Sequence, residues 1–157
     1  MQRSRRGALG FNLTELMVVV AIVGILAAVA YPSYRAQVQS GRRSDAKAEL
    51  MRLAQYMERI YTESGCYDAG TSGTCGTGSP INEDKDGRLT VNAQGYEFTF
   101  SAGPTADTFT IRATPIAGGP QDGDGFLEIN QLGERSWDED DSNKIEADVG
   151  ENDWERG

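Results

Sequence analysis

The chain has 157 residues, with 15 Lys+Arg against 24 Asp+Glu and no His, for a net charge of −9. This length fits one globular unit plus an appended segment, and the acidic balance argues against general nucleic-acid binding, which needs clustered cations. The absence of His removes the commonest general base and metal ligand, and two Cys cannot complete a Cys/His zinc site within one chain.

Residues 1–10 carry Arg3, Arg5 and Arg6 and no acid. Residues 11–31 follow as 21 residues, FNLTELMVVVAIVGILAAVAY, with Glu15 as their one charge. As a helix this stretch is about 31 Å long at ~1.5 Å per residue, the thickness of a bilayer core. A helix apolar on all sides needs a large protein or lipid around it, and the polar, Gly-rich remainder could not wrap it. Basic residues before the span place the N-terminus in the cytoplasm and the rest of the chain across the membrane. The run passes directly into a polar helix, so it reads as a retained anchor rather than a cleaved signal.

Glu15 is out of place in this run. An acid at the bilayer centre costs about 2.5–3.5 kcal/mol. Cutting the chain between Gly10 and Phe11 would supply a partner, because the new α-amine would stand four residues, one helical turn, from Glu15. The amine of a neighbouring subunit would serve as well and would set axial register between subunits. The plain alternative is a side chain that reaches the interface.

GFNLTELMVVVAIVGILAAVAYPSY closely resembles the N-terminus of type IV prepilins, through Gly10, Phe11 and Glu15, the fifth residue after the Gly. Asn12 stands where Thr is usual in that family. Residues 31–67 look like the PilE-type minor pilins of type IV pili. The resemblance implies cleavage after Gly10 by prepilin peptidase, N-methylation of Phe11, and Glu15 as an intersubunit charge partner. It also implies other pilin subunits in a helical filament as partners, with an inner-membrane assembly platform, and membrane lipid before assembly. The location would be the bacterial inner membrane and then the extracellular pilus. A pseudopilin of type II secretion would share this architecture.

The implied fold is α+β: a long N-terminal α-helix packed on a small antiparallel β-sheet. Its divisions are a leader at 1–10, a membrane and filament-core helix at 11–31, an amphipathic half at 32–64, and a Gly-rich loop at 65–95. The sheet takes 96–137 and an acidic tail 138–157. In the amphipathic half, Val38, Ala46, Leu50, Leu53, Ala54, Met57, Ile60 and Tyr61 recur on one helical face, and Gly65 supplies the stop. Gly24 and Pro32 interrupt the helix pattern, since Pro32 cannot donate to the Ala28 carbonyl. That stretch resembles the region that loses helical order when pilins pack.

Cys66 and Cys75 enclose a Gly/Ser/Thr-rich loop. An oxidising compartment favours a disulfide between them over free thiols or intermolecular pairing. Related pilins carry a second pair near the C-terminus; it is missing here, which leaves the anchoring of the tail open. Strands are expected at Tyr96–Ser101, Phe109–Thr114 and Phe126–Asn130, with a fourth beginning in Gly133–Trp137.

Asn82, Asp84 and Asp86 have the spacing of a calcium loop, closed by Gly87, but position twelve is Ala93 rather than Glu. This turn, the QDGDG turn at 121–125 and the acidic tail are expected to be solvated, with calcium as the alternative at the first. No other cofactor and no nucleic-acid partner is expected. Residues 32–62 carry a charge of +3 and residues 63–157 carry −14, so the basic helix face could meet acidic outer domains of adjacent subunits. Without a nucleophile–base pair or a phosphate-binding loop, nothing points to an enzyme.

Overall fold

A computed structural model describes residues 12–84, 87–91, 95–145 and 153–154. The chain forms two compact units, Met1–Val38 and Gln39–Gly157. One helix, α1 (Leu13–Ser64), contributes to both. It runs through Gly24 and Pro32 as one continuous helix. The loss of one hydrogen bond at Pro32 is local, and helix formers such as Ala27, Ala28 and Arg35 flank it.

In the Gln39–Gly157 unit, the outer unit, α1 buries Ala46, Leu50, Leu53 and Met57, with Ala54 half-buried beside them. These lie three or four residues apart on one stripe, as the sequence spacing requires. Tyr61 stays at the rim, where its ring meets Tyr67 at 4.6 Å. The helix ends at Ser64, and Gly65, at φ 81°, makes the left-handed turn that other residues avoid.

The sheet is an antiparallel meander in the order β1 (Tyr96–Ala102), β2 (Thr110–Pro115), β3 (Leu127–Asn130), β4 (Arg135–Trp137). Register brings Phe98, Ala113, Leu127 and Trp137 into one row across all four strands. Each of these is buried, while Glu97, Arg112 and Glu128 alternate toward the other face. The inward row, with Tyr96, Phe109 and Ile111, packs on the α1 stripe and closes the core. The β3–β4 turn is tied by Asn130, whose Oδ1 accepts from the N–H groups of Leu132 and Glu134 at 3.0 Å each.

Between helix and sheet, Cys66 and Cys75 are joined as a disulfide, with Cα atoms 5.8 Å apart. Just beyond that disulfide loop Thr77 folds back onto it, its hydroxyl donating to the Ala69 carbonyl at 2.9 Å.

Candidate assembly segment and C-terminal anchor

Glu15 lies in the first turn of α1, where the Asn12 carbonyl accepts from the N–H groups of Glu15 and Leu16 at 3.1 and 3.2 Å. A carboxylate in a first helical turn is favoured by the unpaired amides and the helix dipole there. From this turn to Tyr34 every side chain is exposed, including Leu16, Val20, Ile22, Leu26 and Val29. The helix is long and apolar enough to cross a membrane, and none of that stretch is buried. The core-helix alternative is thereby removed: the outer unit completes its core without these side chains. Gly24 has open space around it. Gly10 and Phe11 lie outside the described residues.

The outer unit holds a polar cluster that sequence reasoning missed. Arg43, on α1, grips Asp124 with two hydrogen bonds, Nε to Oδ2 at 3.0 Å and Nη2 to Oδ1. Tyr96 of β1 donates its hydroxyl to Asp124 Oδ2 at 2.5 Å. Gln121 donates to the same oxygen at 3.2 Å and to the Gln39 carbonyl at 3.1 Å. The Trp137 indole N–H donates to the Asp124 carbonyl at 2.9 Å, and the Arg43 guanidinium stacks 3.9 Å from the Trp137 ring. Helix, first strand and the 121–125 turn thus meet at the Asp124 carboxylate, and the last strand joins through the Asp124 carbonyl.

The electrostatics follow from that geometry. Burial works to lower the Arg43 pKa, but the hydrogen bonds and charge of Asp124 outweigh it and hold the guanidinium above its ordinary value. Burial and the neighbouring Asp124 push the Tyr96 phenol upward. Lys47 is lowered by burial and by the nearby Arg43.

A second contact set fastens the tail. The Trp154 ring is 5% exposed. Its indole N–H donates to the Ser136 carbonyl at 2.9 Å, its carbonyl accepts from Lys47 Nζ at 2.5 Å, and Arg135 lies 5.5 Å from the ring. Asp138 is fully buried and caps the next turn, its Oδ1 and Oδ2 accepting from the Ser142 and Asn143 N–H groups at 2.9 and 2.8 Å. Burial pushes its carboxyl above the ordinary carboxylate range despite those donors.

Two expectations need correction. The 121–125 turn is not simply solvated: Gln121 and Asp124 are buried, because Arg43 supplies the countercharge. The acidic tail is likewise not all solvated, because Asp138 and Trp154 are buried. The one signal in the sequence was two Trp in otherwise polar surroundings. The idea that the helix cations face other subunits is narrowed too, since Arg43, Arg52 and Arg59 pair with Asp124, Glu49 and Glu63 of the same chain.

At the proposed calcium turn, Asp84 Oδ1 accepts from the Arg88 N–H at 2.9 Å, so this oxygen serves the turn itself. Asp86 lies outside the described residues. Among the described residues, one group of three metal-type side chains converges, Cys66, Asp68 and Cys75, and its two sulfurs are bonded to each other.

Residues 32–125 match the family described as type IV minor pilin ComP, DNA uptake sequence receptor, and residues 5–31 match the prokaryotic N-terminal methylation motif. The chain belongs to this type IV pilin family. The pilin is 30% identical over 112 residues to the fimbrial protein EcpC of Eikenella corrodens, covering 71% of this chain and 68% of that one. It is 29% identical over 117 residues to the type II secretion system core protein G of Pseudomonas aeruginosa, covering 68% of this chain and 82% of the other. A solved type IV pilin from Shewanella oneidensis aligns at a TM-score of 0.44 and 26% identity, over 62% of this pilin and 89% of that chain.

Proposed function

We propose that this pilin is a minor subunit of a type IV pilus that acts in pilus assembly. The observation that carries the reading is the wholly exposed apolar helix from Leu13 to Val29 in a chain whose other unit completes its own core. Such a surface must be covered by lipid or by equivalent helices. Before assembly the helix spans the inner membrane, with the basic N-terminus cytoplasmic and the outer unit periplasmic. Prepilin peptidase cuts between Gly10 and Phe11, and Phe11 is N-methylated. The assembly platform then moves the helix from lipid into a bundle, where Glu15 meets an α-amine and the two charges neutralise each other. No catalytic step belongs to the chain itself.

Mass analysis of the N-terminus in sheared surface filaments tests this. A chain beginning at methylated Phe11 supports it; mature material beginning at Met1 overturns it. Glu15→Gln should abolish incorporation while leaving the thermal unfolding of the outer unit unchanged.

The similarity to a type II secretion core protein favours a second reading, a pseudopilin. Recovery in pili supports the first; loss of protein secretion on deletion, with pili intact, supports the second.

The family description names a DNA receptor, but we do not extend that role to this chain. Arg43, Arg52, Arg59, Arg88 and Arg112 each face a carboxylate. Residues 39–157 hold eleven basic against twenty-three acidic side chains, a poor match to phosphate. A low-salt gel shift should give no sequence-selective complex; a selective complex would overturn this point.

A further inference from the structure

At the outer end of the apolar span, Tyr31, Pro32, Tyr34 and Arg35 share about one helical turn. Tyr31 is 64% exposed and Tyr34 69% exposed. At i, i+3 and i+4, Tyr31, Tyr34 and Arg35 stand on one face, and the Arg35 guanidinium lies 6.0 Å from the centre of the Tyr31 ring. Arg35 has no carboxylate near it in sequence, because no acid occurs between Glu15 and Asp45. Exposed aromatic rings with polar tips and an unpaired guanidinium, directly after a lipid-length apolar run, have the chemistry of a membrane–water boundary. Pro32 agrees with that position. It leaves the Ala28 carbonyl without its helical donor, and that carbonyl points along the helix toward the same turn, where water and headgroups can satisfy it.

We propose that Tyr31, Tyr34 and Arg35 form a headgroup anchor that binds phospholipid phosphates and fixes the depth of the helix in the bilayer. The consequence is arithmetic. Tyr31 and Tyr34 lie 16 and 19 residues beyond Glu15, about 24 and 28 Å along a helix at ~1.5 Å per residue. A hydrocarbon core is about 30 Å thick. With the anchor seated at one boundary, Glu15 arrives within a few ångströms of the other, where its carboxylate reaches water instead of lying in mid-membrane. The processing site precedes Glu15 in the chain and is carried to the same boundary. The anchor therefore presents the chain for cleavage and spares Glu15 the full insertion cost until a partner amine is available. This deepens the membrane-to-filament reading above and rests on it.

The test uses the full chain carrying Leu13→Trp, reconstituted in phosphatidylcholine–phosphatidylglycerol vesicles with bromines placed shallow or deep in the acyl chains. The native Trp137 and Trp154 are buried in the outer unit, and the chain without Leu13→Trp supplies the background. The expected result is quenching at L13W by shallow bromines. Replacing the anchor (Y31A/Y34A/R35A) lengthens the apolar run and lets the helix slide toward its N-terminal side. The ratio of deep to shallow quenching at L13W then falls, because the indole moves outward past the shallow bromines. The conservative set Y31W/Y34W/R35K, read against the same set without Leu13→Trp, should restore the original ratio. An unchanged ratio in the alanine variant, or no restoration by the conservative one, overturns the proposal. Cleavage by prepilin peptidase is measured on the same vesicles, and slower cleavage of the alanine variant is expected. If the parent chain is not cut at all, the processing reading fails while the depth comparison still decides the anchor.

Discussion

Asp124→Asn strikes the point where the outer unit is tied together. The substitution keeps the shape of the side chain but removes the charge that Arg43 faces. It leaves a guanidinium that is 13% exposed opposite a neutral amide and weakens the acceptor for Tyr96. Removing one member of a buried, doubly hydrogen-bonded pair costs about 3–5 kcal/mol, mostly as the penalty of the stranded charge. For a unit of this size each kcal/mol shifts Tm by about 4 °C, so the expected fall is about 12–20 °C. Thermal unfolding followed by near-ultraviolet circular dichroism reads the loss directly, because Trp137 and Tyr96 both border the cluster. The companion variant Arg43→Met should fall by a similar amount, and the double variant should lose much less than the two falls combined, because each single change strands the partner of the other. A fall below about 4 °C for Asp124→Asn, or strict additivity in the double variant, would refute the view that this ion pair ties the outer unit together.

Other outcomes follow from the same contacts. Tyr67, raised to about 12 by burial and by its 2.7 Å hydrogen bond to Glu58, holds its proton in the folded chain after the unfolded chain has begun to lose its own near pH 10. Its stabilising effect is therefore complete below pH 10 and disappears as pH rises to about 12, so Tm should drop more steeply across that window in the parent than in Tyr67→Phe. Replacing Cys66 and Cys75 together by Ser should lower stability by about 2–3 kcal/mol in denaturant melts, with a larger effect at the loop than at the sheet. Trp154→Ala removes the plug under Arg135 and Lys47 at a cost of about 3 kcal/mol. Limited proteolysis should then trim the tail near the Asp138–Asp141 turn while β1–β3 stay intact.

The sequence by itself determined whatever depends on local order. A run of apolar residues as long as a bilayer is thick, a helical period from Ala46 to Met57, and two-residue alternation in YEFTFS and FTIRAT are each written in adjacent positions. The expected strands agree with the observed ones to within one or two residues at each end. The N-terminal methylation motif was legible for the same reason, because it is written in consecutive positions. Tertiary structure alone decided the fate of the charges. Arg43 and Asp124 are 81 residues apart, and nothing near either one marks it as half of a pair. Asp124 reads as a wet turn until the sheet carries it under the helix, and Trp154 reads as an aromatic stranded in an acidic tail until Lys47 and Arg135 close over it. Hydrophobic patterning is a property of neighbours, whereas a buried countercharge exists only once the chain has brought distant residues into one low-dielectric place.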